Sequence, residues 1–183
     1  IYVGASAPRT REITGELADG WIPYVHTLSN YEKFLKDIIN GAKKAGRKIS
    51  DVDLVARIPI LIIENENDDK RKKIGRSLSI RLLLEGNTLR DLGWDEEIPE
   101  EFSQSKMIVD ESMSKKLEQV ADSIPSEITE QIAAIGRPSE IIEVLENYKK
   151  MGAKHFLIKF LGQTTTDDFK KFNSEIIQVM KNA

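Results

Sequence analysis

The sequence contains no cysteine, which removes disulfides, thiolate nucleophiles and cysteine-based metal sites together and fits a reducing compartment such as the cytoplasm. Strong charge of either sign is also missing. The 27 Lys and Arg residues against 30 Asp and Glu leave a net charge of −3, so neither nucleic acid nor an anionic membrane surface is the expected partner. No apolar run approaches the roughly 20 residues that a spanning helix needs, and no charged-then-apolar leader opens the chain, so a soluble protein is expected. With two histidines in all, and no Walker loop, G-x-G-x-x-G or H-E-x-x-H spacing, neither a P-loop ATPase nor a zinc enzyme is indicated. Small-molecule chemistry or protein contact is left. The 183 residues, 40% of them hydrophobic, are enough for a single domain over 1–183 with a substantial core.

What is present alternates between two periods. Ile1 to Ala5 reads as a short buried strand that begins at once, with no Met, cap or polar tail before it, as in a chain cut from a longer one. Gly4-Ala5-Ser6-Ala7-Pro8 then turns into a helix over Arg9 to Ala18, with Ile13 and Leu17 four apart on its expected buried face. After Asp19-Gly20, Trp21 to Val25 reads as a strand, and a helix follows with Tyr31, Phe34, Leu35, Ile38, Ile39 and Ala42 as its apolar positions. Asp53 to Glu64 is a nearly continuous β-branched run, expected to be covered on both faces, in which Pro59 suggests a bulge or an edge. A basic, then apolar helix spans Asp68 to Leu84.

Residues 86–122 are polar and irregular and read as an insertion, its acidic clusters at Asp95 to Glu97 and Glu100-Glu101 forming a solvated lobe. Order resumes at Ile124. Gly136-Arg137-Pro138-Ser139-Glu140 is a helix start, the helix ends at Met151-Gly152, Phe156 to Leu161 is a strand, and a final helix presents Phe169, Phe172, Ile176, Ile177 and Met180. Four βα units imply parallel strands with right-handed crossovers. They are either half of a TIM barrel, which takes about 250 residues in full, or a small flavodoxin-like sheet; periodicity leaves both open.

Two stretches carry a resemblance. IYVGASAPRTREITGELADGWI resembles the fifth strand, helix and sixth strand of bacterial-luciferase-like barrels, and IAAIGRPSEIIEVLENYKKMGAKHFLIKF is similar to that family's last helix and eighth strand. The resemblance implies an α/β fold, the C-terminal half, (β/α)4, of a TIM (β/α)8 barrel with a helical insertion before the last strand. It implies an oxidoreductase, in the branch of methylenetetrahydromethanopterin reductase and F420-dependent dehydrogenases, that transfers hydride between coenzyme F420 and a small organic substrate. FMN-dependent monooxygenase chemistry is the alternative within the family, and a non-catalytic flavin-binding or interaction module with an incomplete barrel is the rival outside it. The family's catalytic groups lie largely on the first four strands, so this half alone is expected to be inactive, with a homodimer mate or a missing N-terminal half as its partner.

The residues that would hold the cofactor follow from the same register. Small side chains at Gly4, Ala5, Ser6 and Ala7 let backbone N–H groups approach an anion beside a helix start, although any tight βα turn favours small residues. Arg9 and Arg11 add charge there if they are not solvent contacts. Thr27 offers a hydroxyl after the second strand, beside His26 and a turn before Lys33, and Arg137 stands at a helix start that holds either an anion or only its own cap. His155, at the N-terminal end of the last strand, belongs to the stability face of a barrel. The loop Leu161 to Thr166 lies at the opposite end and reaches substrate, unless Thr166 serves only as an N-cap.

Overall fold

Apolar periodicity places the elements well, but it misplaces the face on which the first helix packs. The computed structural model describes residues 1–23, 27–64, 69–84, 88–89, 92–94, 99, 102 and 110–182. Strand β1 (Tyr2–Val3) leads into helix α1 (Pro8–Leu17), strand β2 (Gly20–Trp21), helix α2 (Leu28–Lys44) and the long strand β3 (Asp53–Ile62). Helices α3 (Asp69–Leu84), α4 (Glu111–Ser123) and the single turn α5 (Ser126–Thr129) precede a short strand β4 (Ala134–Gly136). Helix α6 (Pro138–Lys150), strand β5 (His155–Phe160) and a final helical run complete the chain, the run being α7 (Thr166–Lys171), a π-helical stretch Phe172–Ile177 and α8 (Gln178–Asn182).

All the strand pairs are parallel, in the order β1-β2-β3, with β4 and β5 both paired to β3. One strand carries three neighbours because two of them share an edge. Lys154 N–H donates to Leu54 O and Leu161 N–H to Ile60 O, so even-numbered residues of β3 bond towards β5. Asp53 N–H donates to Asp19 O and Ile63 N–H to Gly136 O, so odd-numbered residues bond towards β2 and then β4. Pro59 is odd-numbered and falls between the β2 register, Gly20↔Asp53 and Trp21↔Leu54, and the β4 register, which starts at Ile60↔Ala134. Its missing donor faces that gap. The expectation of a bulge or edge at Pro59 is therefore corrected: it sits in regular register opposite Lys159 in the most central strand.

Alternation sorts the two faces of the sheet. Leu54, Ala56, Ile58 and Ile60 of β3 join Trp21, Ile38, Ile141 and Ile176 in one hydrophobic cluster under α2, α6 and the C-terminal run. On the opposite face, at the strands' N-terminal ends, the Tyr2 ring lies over Gly20, where a side chain would collide with it, and its hydroxyl donates to Asp53 Oδ2 at 2.5 Å. Asp53 also meets His155 Nδ1. A second cluster forms from Leu78, Leu82 and Leu83 of α3, Leu117 and Ala121 of α4, and Leu89, Leu92, Trp94 and Phe102. The polar, irregular reading of 86–122 is corrected accordingly, since its described part contains the helix α4 and buries five large apolar side chains. The acidic residues Asp95–Glu97 and Glu100-Glu101, with His26, lie outside the described residues.

Helix α1 departs most from its pattern. Ile13 is 39% and Leu17 78% exposed, whereas Arg11, Thr14 and Gly15 are buried. The cause is a backbone-to-backbone crossing: a Cβ on Gly15 would overlap the Ile38 carbonyl oxygen of α2, and one on Gly41 would overlap the Glu12 carbonyl oxygen of α1. Two arginines fix the crossing from either side. Buried Arg11 donates to Asp37 Oδ2 at 2.8 Å and to Ser6 O, with its guanidinium 3.9 Å from the Phe34 ring centroid. Arg47 donates to the α1 C-terminal carbonyls Gly15 O and Ala18 O at 2.9 and 2.8 Å, where cationic donors suit the helix dipole.

Smaller corrections fall in the last helix, where the N-cap is Thr165 and not Thr166, and where Phe169 is 54% exposed while Phe172 and Ile176 are buried.

Opposite signs are expected for two glycine substitutions measured by urea unfolding. Gly41→Ala destabilises by about 1–3 kcal/mol or more through overlap with α1, whereas Gly75→Ala in α3, with nothing within 4 Å of the new Cβ, stabilises by about 0.5–1 kcal/mol from helix propensity. Tyr31 is 1% exposed and its hydroxyl has no partner among the described residues. Burial pushes the pKa of that hydroxyl far above its ordinary value. Tyr31→Phe is accordingly expected to hold or raise the unfolding midpoint, because it deletes an unsatisfied buried group; a clear drop would show that a partner exists.

Candidate functional site

In parallel α/β sheets ligands collect at the carboxyl ends of the strands, and the residues expected to hold a cofactor phosphate all lie there. Gly4–Ala7 connect β1 to α1. Val3 O accepts from Ile22 N–H at 3.1 Å, Ala5 is fully buried, and Ala5 O accepts from Trp21 Nε1 at 3.2 Å. Ser6 O is taken by Arg11 and Ala7 O by the Arg11 N–H. With these carbonyls engaged, the turn presents its N–H groups: no described residue accepts from Ser6 or Ala7 N–H. Ala7 is the N-cap of α1 and makes no side-chain cap, so the first-turn donors are unsatisfied as well. A helix start with bare N–H groups and exposed small side chains is suited to an anion.

Thr27 has a different commitment. It is the N-cap of α2, 9% exposed, and its hydroxyl accepts from Asn30 N–H at 3.1 Å, which leaves the hydroxyl proton as its one outward donor.

Arg137 stands apart from the other five. It opens α6 at the end of β4 and lines a polar depression of about 330 Å3 with Ile63, Glu64, Arg71, Gly136 and Glu140, which neither Gly4–Ala7 nor Thr27 touches. Glu140 closes the helix start by accepting from Arg137 N–H at 2.7 Å and from its guanidinium at 3.2 Å. The guanidinium, then the backbone N–H, hold the Glu140 carboxyl below its ordinary pKa. Arg71 is likewise paired, in two bonds of 2.7 and 2.5 Å, with Glu130. An anion at this depression would have to displace carboxylates already in place.

A roomier cavity, about 630 Å3, opens between α3 and the ends of β3 and β5. Its floor is apolar, with Ile60, Ile62, Ile74, Leu78 and Leu161, and its rim carries Lys70, Lys73, Arg81 and Lys159. Sequence reasoning placed the loop Leu161 to Thr166 on this end and did not find the lysines. The legible signal was Lys70, Lys73, Ser77 and Arg81 at helical spacing on α3, together with Lys159 alternating with Phe160 near the end of β5.

Arg9 and Arg11, considered as additions to the phosphate site, have structural partners: Arg9 donates to Glu12 at 3.0 Å, and Arg11 is buried in the α1–α2 crossing. His155 lies at the N-terminal end of the sheet, away from every residue above.

A parallel sheet with helices over one face, and with polar donors at the carboxyl ends of its strands, belongs to the α/β class. Within that class, residues 1–155 match the family model for luciferase-like monooxygenase, and the chain belongs to that family. It is 22% identical, over 93% of its length and 51% of the relative's, to 5,10-methylenetetrahydromethanopterin reductase of Methanopyrus kandleri. The solved structure of the coenzyme F420-dependent tetrahydromethanopterin reductase from that organism superposes with a TM-score of 0.72 at 20% identity, over 97% of this chain and 50% of that one. A long-chain alkane monooxygenase superposes with a TM-score of 0.58 at 17% identity, over 100% of this chain and 41% of that one. The chain thus spans about half the length of the curated relatives it matches.

The Arg137–Glu140 pairing yields a prediction. Because the folded Glu140 pKa lies below its ordinary value, the cap stabilises the fold above the ordinary carboxylate range and loses that effect as pH falls through the lowered value. In Arg137→Ala, carboxyl NMR titration is expected to show the Glu140 pKa moving back up towards 4.5; an unmoved titration would show that the guanidinium has no part in the shift.

Proposed function

We propose that this chain is the cofactor-phosphate half of an F420-dependent oxidoreductase acting on a small organic substrate. The observation that carries the reading is the β1–α1 turn: the carbonyls of Ala5, Ser6 and Ala7 are tied by Trp21 and Arg11, while the Ser6 and Ala7 N–H groups have no acceptor among the described residues and the start of α1 has no side-chain cap. A dianionic phosphate fits such a turn, because it needs donors and a positive helix end and gains nothing from further carbonyls. Thr27 adds its hydroxyl proton from the neighbouring strand end, and Arg137 is the weaker helper because Glu140 occupies it. When bound, the deazaflavin supplies hydride chemistry; the chain's own part is to hold the phosphate, orient the ring and shield it from water.

The deazaflavin is preferred over FMN because relatives matched across nearly the whole chain are F420-dependent by name. The reading assigns no acid or base and no dimer contact to this chain, which alone is expected to be inactive; turnover by it would sink that part of the reading.

Ala7→Asp separates the proposed role from plain helix chemistry. An aspartate N-cap stabilises α1 by about 0.5–2 kcal/mol, yet its charge opposes a phosphate, so the variant is expected to melt higher and to bind F420 at least about tenfold more weakly. Binding is followed by the visible absorbance of the protein-bound cofactor, whose single band distinguishes it from the two of FMN. Retained F420 affinity in the more stable variant would move the phosphate elsewhere, and preferential FMN uptake would replace the F420 reading with the monooxygenase one.

A further inference from the structure

The cavity between α3 and β5 has no part in the phosphate cradle, and its chemistry is distinct. On the α3 wall, Lys70, Lys73, Ser77 and Arg81 follow one another at helical spacing above Ile74 and Leu78. Lys159 projects from the opposite wall, next to the turn at Gly162, whose φ of 78° brings the chain against Ile74. Among the described lining residues four are cationic and one, Asp168, is acidic, in a protein whose net charge is −3. The carboxylate is already engaged, accepting from Thr165 N–H and Oγ1 at 2.7 Å each, and its pKa is lowered first by those bonds and then by the nearby charges of Lys70 and Lys171. Lys73 and Lys159 have no hydrogen-bond or ion-pair partner among the described residues for their ammonium groups. Two lysines on facing walls with no partner among the described residues, over an apolar floor, concentrate positive potential at the cleft.

We propose that this cleft is a binding site for a small organic anion with an apolar body and a phosphate or carboxylate head, held at the head by Lys73 and Lys159. At about 630 Å3 the cavity falls in the usual range for such ligands, roughly 300–1,000 Å3. The binding does not rest on the oxidoreductase reading; where that reading holds, the cleft names the class of substrate.

The test is calorimetric titration of this chain with phenyl phosphate, benzoate, phenol and inorganic phosphate. Phenyl phosphate or benzoate is expected to bind, the tighter of the two identifying the head group, and phenol and inorganic phosphate each to bind at least about tenfold more weakly. Affinity is expected to fall as sodium chloride is raised. Lys73→Gln and Lys159→Gln are each expected to weaken binding several-fold, and Lys150→Gln on α6, outside the cleft, to leave it unchanged. Equal affinity for phenol and phenyl phosphate, wild-type affinity in both cleft variants, or displacement of phenyl phosphate by F420 would overturn the proposal. A chain that binds phenyl phosphate and takes up no F420 keeps this inference and loses the one before it.

Discussion

The contact of α1 with α2 at Gly15 and Gly41 is the constraint on which the carboxyl end of the sheet depends. Because neither position tolerates a Cβ, the helix backbones meet directly, and the rotation of α1 about its axis is set by sterics rather than by apolar area. That rotation carries Arg11 into the interior, where it reaches Asp37, Ser6 O and the ring of Phe34 together. Through Ser6 the crossing fixes the conformation of the β1–α1 turn, so the donors at Ser6 and Ala7 are oriented by a packing event on the far side of the helix. Such indirect support is how a loop acquires rigidity.

The sheet divides labour between its ends. At the N-terminal end polar groups satisfy one another: Tyr2 with Asp53, and Asp53 with His155. At the carboxyl end the Ser6 and Ala7 N–H groups of the β1–α1 turn and the ammonium groups of Lys73 and Lys159 have no acceptor among the described residues. Parallel strands produce this asymmetry by construction, since every βα turn points a helix start towards the same end. The edge-sharing of β2 and β4 along β3 adds a second consequence. It places the α6 start and Arg137 beside the end of β3, in a depression whose arginines are already paired with Glu130 and Glu140.

Much of this was legible in the residues. Strand β3, helices α2 and α6, and the final helix follow from runs whose apolar spacing matches their period, and the two flanking motifs placed the chain in its family. The small-residue turn at Gly4–Ala7 was legible as a tight βα turn because its composition and its position before a helix are local facts. Other features were not legible. Ile13 and Leu17 form a good apolar face that stays exposed, because the competing face carries glycine and threonine and only a partner glycine on α2 makes that face the better contact. Residues 86–122 looked polar because acidic residues dominate their composition, whereas Leu89, Leu92, Trp94, Phe102 and Leu117 are too irregularly spaced to show a period and are buried in one cluster with α3, Ile124 and Ile132.

The sequence by itself determined the α/β class, the parallel order of its units and the family, since these depend on periodicity and short motifs that each segment carries alone. Only the tertiary structure decided which side chains are buried as clamps, which carboxylates neutralise which cations, and which lysines are left without a partner. The physical reason is that pairing and close approach are properties of two segments at once. Arg137 and Lys73 are both basic residues near a helix start in the sequence, yet the first meets Glu140 one turn away and the second faces an open cleft, and only the fold distinguishes them.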